Sequence, residues 1–186
     1  ANSVGSSQLT ADVITGQTEL ASGVASTDEL LISDAGVLKR VDVSLIGGTN
    51  TPAFLAYANS DQTSISANTN TKLTNFGAEV FDTDNTFSSS RFTPGFVGKY
   101  FVYATVYGTQ DNASRAFLYV YVNGSNYQTS AHLAGGSQAF PQQVTAIVDV
   151  TSTSDYIEFY FNQTGVTATA ASSGVQVKCG GFKIIT

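Results

Sequence analysis

The chain has 186 residues, 42% hydrophobic, 11% aromatic and only 12% charged, so its polar surface must come from Ser, Thr, Asn, Gln and Gly rather than from the usual ~25% of charged residues. A net charge of −6 from eight basic and fourteen acidic side chains excludes a phosphate backbone as the main partner, because such binding draws on clustered Lys and Arg. No apolar run approaches the roughly 18 residues that cross a bilayer, and the single Cys179 can form no intrachain disulfide, so stability must come from packing or assembly.

Along the chain the first signal is an absence. All twelve Phe and nine Tyr lie between Phe54 and Phe182, and a segment without aromatics can hardly build a core of its own. Residues 1–26 are rich in Ser, Thr, Gly and Ala and read as an extended anchoring arm. Ala1-Asn2-Ser3-Val4-Gly5 carries neither the basic cluster nor the apolar run of a secretory leader, so a cytosolic site of synthesis is expected. Residues 27–47 read as a β-hairpin and connector: Glu29 to Ser33 and Val37 to Val43 flank Asp34-Ala35-Gly36, with Gly36 at the positive-φ position. A two-stranded hairpin is marginal alone, so this one should pair with copies of itself or dock on a larger body. Asp12, Glu19, Asp28, Glu29, Asp34 and Asp42 against Lys39 and Arg40 place most of the net charge in this amino-terminal part. Residues 48–52 form the linker, and residues 53–186 the globular head.

Within the head, strands are predicted at short intervals: Phe54 to Ala58, Thr71 to Leu73, Ala78 to Phe81, Arg91 to Thr93, Lys99 to Tyr107, Ala116 to Val122, Gln143 to Val150, Tyr156 to Asn162 and Val175 to Ile185. Their period-2 alternation, with no competing 3.6-residue stripe, makes the chain all-β. About ten short strands with apolar residues on both faces indicate a two-sheet sandwich.

The block Arg91-Phe92-Thr93-Pro94-Gly95-Phe96-Val97-Gly98-Lys99-Tyr100-Phe101-Val102-Tyr103 resembles the F-x-P-x-x-G-x-Y-x-F core of complement C1q heads and their tumour-necrosis-factor-like relatives, with one inserted residue before the Gly. Phe81-Asp82, Leu118 to Gly124, Asp155-Tyr156-Ile157-Glu158-Phe159 and Gly181-Phe182-Lys183-Ile184 fall in the same order as that family's landmarks. The resemblance spans residues 53–186 and implies a ten-stranded jelly roll assembled as a homotrimer, with Tyr100, Phe101, Phe182 and Ile184 in the core or around the three-fold axis. Ser154 departs from the family's Gly-Asp pair, and no Gly-X-Y stalk precedes the head. The segment Thr27 to Asp42 resembles one found before variable carboxy-terminal domains of bacteriophage tail-fibre and related virion proteins, which implies a phage structural protein on the surface of a virion.

Catalysis finds little support. His132, the sole histidine, has no acid near it in sequence, and Cys179 sits in an apolar terminal strand that suits an inert thiol. No G-x-S-x-G, phosphate-binding loop or H-E-x-x-H motif occurs, so neither an enzyme nor a bound cofactor is expected. Asp82, Asp84 and Asn85 offer oxygen ligands that could hold calcium, as some relatives of the fold do, although Asx turns bonding to their own backbone explain the same pattern. Asn112, Asn123 and Asn162 match a glycan-acceptor triplet but read as ordinary turn residues. Thr109 to Ser114, Asn123 to Tyr127, Leu133 to Phe140 and Gly165 to Gly174 read as loop tips, with Tyr127, Phe140, Asn126 and Gln138 as host-binding candidates.

These readings lead to a non-enzymatic virion fibre or appendage. Residues 1–47 would attach to other virion proteins, and the head would bind a host glycan or outer-membrane protein, without inserting into a membrane or binding nucleic acid. The alternatives are a capsid decoration protein with a mechanical role and a soluble C1q-like binding module.

Overall fold

The computed structural model describes Gly16, Thr18, Ala25 and residues 27–46, 50–109, 115–133, 140–165, 167–171 and 176–184. The chain divides into two compact units, Ala1–Gly47 and Gly48–Thr186.

In the first unit, strands β1 (Glu29–Asp34) and β2 (Val37–Asp42) pair antiparallel from Glu29 opposite Asp42 to Asp34 opposite Val37. Ala35 and Gly36 close the turn with φ of 49° and 81°, the double positive-φ geometry whose twist matches the flanking strands. A short 3-10 turn, Val43–Leu45, follows. The register places Leu30, Ile32, Val37 and Val41 on one face, and Leu31 and Leu38 on the other. Leu30, Leu31, Ile32, Val37 and Leu38 are all exposed within the chain. Arg40 with Glu29, at 3.0 Å, and Lys39 with Asp34 tie the strands across, but exposed pairs of this kind contribute at most about 1 kcal/mol.

The second unit consists of β3 (Ala53–Tyr57), β4 (Gln62–Ile65), β5 (Thr71–Lys72), β6 (Ala78–Asp82), β7 (Phe87–Ser88), β8 (Arg91–Phe92), β9 (Gly98–Thr109), β10 (Arg115–Val122), β11 (Ser125–Leu133), β12 (Phe140–Val150), β13 (Ile157–Gln163), β14 (Ala168–Ala171) and β15 (Lys178–Lys183). One sheet runs β11-β10-β13-β8-β7, with β5 also on β13; the other runs β4-β14-β9-β15-β3-β6, with β12 on the far edge of β9.

Alternation explains the layering. Along β9, Tyr100, Val102, Ala104 and Val106 are buried, and along β12 so are Gln142, Val144, Ala146, Val148 and Val150, while the residues between them face outward. From the opposite sheet, Leu118 and Val120 of β10 and Ile157, Phe159 and Phe161 of β13 meet them. Aromatic rings fill one end of the interior: Phe54 stacks on Phe87 at 4.3 Å and lies 4.6 Å from Phe92, which meets Tyr100 edge-on at 5.7 Å. Such pairs add about 0.5–1.5 kcal/mol beyond burial.

Four expected positions come apart here. Tyr100 is fully buried, with its hydroxyl donating to the Phe96 carbonyl at 2.9 Å. Phe101 and Ile184 are only half-buried, and Phe182 is 38% exposed. Phe101 and Phe182 lie directly opposite one another in register, on the side of the sheet away from the core. One residue of displacement along a strand reverses the face, and Tyr100 and Phe101 are neighbours.

The predicted strands have counterparts, but the head contains more pieces than ten. The extra pieces include the short hairpin of β7 and β8, turned by Ser89 and Ser90 at left-handed φ of 51° and 54°. The segment Ser125–Leu133, with residues 125–127 and 133 expected in loop tips, is the edge strand β11. Asn123-Gly124, with φ of 51° and 76°, makes the tight turn that starts it.

Replacing Phe92 by Ala should cost about 3–5 kcal/mol in a denaturant titration of the full chain, whereas Phe182→Ala should cost the isolated fold roughly a third of that or less, because only part of its ring leaves water within one chain.

Candidate functional site

The outer face of the seven-stranded sheet is built from residues that alternation turns away from the core. Register sets Ala53, Phe182, Phe101 and Ile147 in one cross-strand row, and Leu55, Gly180, Tyr103 and Thr145 in the next. Phe101 lies 5.5 Å from Phe182 and 6.2 Å from Tyr103, centroid to centroid. Ile147 is 58% exposed on one side of this cluster, and Phe81, opposite Leu55, is 47% exposed on the other. Gly180 is what allows the Tyr103 ring to lie across β15, since a Cβ there would sit 2.8 Å from the ring. Burial raises the Tyr103 hydroxyl above its ordinary value, with Cys179 and Tyr57 adding to it, so the face stays uncharged there. Beside this cluster Thr105, Tyr107, Pro141, Gln176 and Lys178 line an open hollow of about 420 Å³.

The outer face of the six-stranded sheet differs in chemistry. Phe117, Tyr119 and Tyr121 of β10 stand opposite Asn162, Tyr160 and Glu158 of β13. Lys72 and Arg91 pair with the other edge of β13, opposite Tyr160 and Glu158. Glu158 is 2% exposed. Its Oε1 accepts from Lys72 Nζ at 2.8 Å and Arg91 Nε at 2.7 Å, and its Oε2 from the Tyr160 hydroxyl at 3.3 Å. Burial alone would push this carboxyl up, but the hydrogen bonds and charges of Lys72 and Arg91 outweigh it and hold it below the ordinary glutamate value.

The sequence-predicted residues disperse. Tyr127 is on strand β11 rather than a loop tip, 47% exposed, and its hydroxyl donates to the Ile147 carbonyl at 3.0 Å, bridging the two sheets at one edge. Asn126 is exposed on the same strand, hydrogen-bonded to Thr129 at 3.0 Å. Phe140 is the first residue of β12, and Gln138, with the other residues 134–139, lies outside the described residues. Asp82 uses both carboxylate oxygens on its own loop, accepting from Thr86 at 3.1 Å and the Phe87 backbone at 2.8 Å, while Asp84 accepts from Thr83. Asn85 occupies a left-handed turn position, φ 55°. Among the described residues no three His, Cys, Asp or Glu side chains gather as a metal site would require.

His132 is exposed on β11, opposite Ala116. Cys179 is fully buried, which raises its thiol well above the ordinary value and leaves it a poor nucleophile. Asn123 is an exposed turn residue whose amide donates to Asp155 at 2.8 Å, and Asn162 is buried; Asn112 lies outside the described residues. Among the described residues no helix is long and apolar enough to cross a membrane.

What sequence reasoning missed is the Lys72–Glu158–Arg91 cluster, whose members are 19 to 86 positions apart. The signal that could have found it is Glu158 itself, a carboxylate between the apolar Ile157 and Phe159, which burial obliges to find cations.

No family model matches the chain, and no curated protein matches it. Solved structures do. The globular domain of zebrafish complement 1qA protein superposes with a TM-score of 0.53 at 14% identity, covering 72% of this chain and 96% of that one. Eiger TNF from S. frugiperda gives 0.56 at 10% identity over 71% and 91%, and murine APRIL at pH 5.0 gives 0.56 at 9% identity over 71% and 98%. The head therefore has the two-sheet jelly-roll fold of C1q and TNF domains.

Glu158→Gln should cost about 1–3 kcal/mol near neutral pH, read from urea titrations of both proteins. Because the folded carboxyl is held below its unfolded value, the ion cluster stabilises fully above that value, 4.5, and loses its contribution as pH falls through the folded one. The difference between wild type and variant should therefore shrink only on acidification below 4.5, and a difference that grew there would contradict the assignment.

Proposed function

We propose that the chain is a non-enzymatic, trimeric virion appendage protein: three heads associate through the outer face of the seven-stranded sheet, the amino-terminal unit attaches to the particle, and the heads bind a host surface. The observation that carries the trimer is the apolar cluster on one sheet face in which Phe182, Ile147 and Phe81 are exposed around the half-buried Phe101 and Tyr103, the kind of surface another protein covers. The C1q and TNF likeness supports assembly around a three-fold axis.

Attachment through residues 1–47 is supported by the hairpin. Its apolar side chains are exposed on both faces, so the unit gains stability from whatever covers it. The virion assignment rests on the resemblance of Thr27 to Asp42 to tail-fibre segments. The jelly-roll likeness equally favours a C1q-like binding module outside a virion, and the two readings share the same trimeric head.

Light scattering on the full chain should report three copies, and Phe182→Glu should yield a folded monomer. Gly180→Val, which drives a side chain into the Tyr103 ring, should weaken association at least tenfold while changing the melting temperature far less. A wild-type monomer at micromolar concentration would remove the trimer.

On particles, residues 1–47 should be protected from protease and cleaved in the free protein. Deletion of residues 1–47 should abolish incorporation. Full incorporation without them would move attachment to the head, as in a decoration protein.

A further inference from the structure

The outer face of the six-stranded sheet lies on the other layer of the sandwich from the apolar contact face, and it carries a different set of groups. Aromatic rings run across it: Phe117 and Tyr119 at 6.0 Å, Tyr119 and Tyr121 at 6.0 Å, and Tyr121 stacked on Tyr160 at 4.0 Å. The Arg91 guanidinium lies 4.1 Å above the centre of the Tyr156 ring, and 45% of the side chain is exposed. Its Nε is committed to Glu158, so it is held at a fixed angle by a hydrogen bond on one edge and a ring beneath. The N–H groups on its two Nη atoms are the part of the fork suited to a planar anion.

Charge on this face runs against that of the chain. Lys72 and Arg91 share the single carboxylate of Glu158, leaving one positive charge on a protein whose net charge is −6. The electrostatic influences on Arg91 come from Glu158, Tyr156 and Tyr160. Next to it runs a line of neutral hydrogen-bonding groups: Asn162 Nδ2 donates to Asn70 Oδ1 at 2.7 Å, and Asn70 Nδ2 to the Tyr121 hydroxyl at 2.8 Å. Asn162 itself is buried beneath this line and holds Asn70 in place from below.

We infer that this face binds an acidic sugar unit, a pyranose bearing one carboxylate, with the carboxylate on Arg91, the sugar ring against the edges of Tyr160 and Tyr121, and the hydroxyls on Asn70 and the tyrosine oxygens. Each group answers one part of that ligand. Tyrosines supply a rigid amphipathic surface for sugar C–H and O–H groups at low entropic cost. One net positive charge matches one carboxylate. A densely sulfated or phosphorylated chain would meet the repulsion of the whole acidic protein, and a neutral sugar would leave the guanidinium unused. This rests on the reading of the head as a host-surface binder and names the chemistry it would recognise.

The test is calorimetric titration of the full-length assembled protein with trigalacturonate and with its fully methyl-esterified, neutral counterpart. The acid should bind at least tenfold more tightly than the ester, with affinity falling as salt rises. Arg91→Gln should remove that preference, and Asn70→Ala, an exposed position, should weaken both ligands several-fold, each with its melting curve recorded. Equal binding of acid and ester, binding of neither, or a folded Arg91→Gln protein that still prefers the acid would each overturn the site. The acid–ester comparison needs no variant, so it decides the matter even if Arg91→Gln does not fold. Fluorescently labelled protein applied to host cells separates the two levels: cell binding without trigalacturonate binding sinks this site and leaves the host-surface reading, whereas trigalacturonate binding without cell binding does the reverse.

Discussion

Two consecutive residues without side chains, Gly180 and Gly181, are the constraint on which both sides of the seven-stranded sheet depend. They lie in β15, between β3 and β9. On the core side, a Cβ at Gly181 would meet Val102 Cγ1 at 2.9 Å, the Phe101 carbonyl at 3.0 Å and the Phe54 ring at 3.2 Å. On the outer side, one at Gly180 would meet the Tyr103 ring at 2.8 Å. Strand glycines cost packing and entropy, and that cost is offset here because the interior aromatics around Phe54 and the flat exterior around Phe101, Tyr103 and Phe182 both occupy the space those glycines vacate.

The two sheets then diverge in what their outer faces can do. The seven-stranded sheet surrounds Tyr103 with Phe101, Phe182 and Ile147, so its surface is apolar and suited to excluding water against another protein surface. The six-stranded sheet buries a carboxylate beneath its tyrosines, and burial of a charge is tolerable only with partners. Glu158 therefore recruits Lys72 and Arg91, from strands on the same edge of β13, and fixes an exposed guanidinium over Tyr156. A charge inside one strand thus organises the chemistry of a whole face, while the low overall charge of the chain leaves that face electrostatically conspicuous.

Turn chemistry sets where these faces begin and end. Asp155, held below the ordinary carboxyl value by hydrogen bonds from Asn123 first and then from the Ser152 and Thr151 backbones, joins the turn before β13 to the Asn123-Gly124 turn of the β10–β11 hairpin. Tyr156 follows it directly, and its backbone N–H donates to Asn123 Oδ1 at 3.0 Å. The position of Tyr156 under Arg91 is in this way tied to a turn on the neighbouring hairpin.

Read by itself, the sequence determined the all-β class, the aromatic-free amino-terminal part, the hairpin with Gly36 at positive φ, and the place of β9 along the chain, because alternation and turn residues act over distances of two to four positions. It also carried the order of landmarks by which the head resembles C1q. It could not place Tyr127: the segment around it is polar because β11 is an edge strand, and an exposed edge strand has the composition of a loop. Nor could it separate Tyr100 from Phe101, since which of two adjacent aromatics faces inward depends on register against β12 and β15. The Lys72–Glu158–Arg91 cluster and the hollow that Gly180 leaves for Tyr103 exist only once strands far apart in sequence are paired. Those features were decided by tertiary structure, because hydrogen-bond register and burial are properties of strand pairs and not of any one strand.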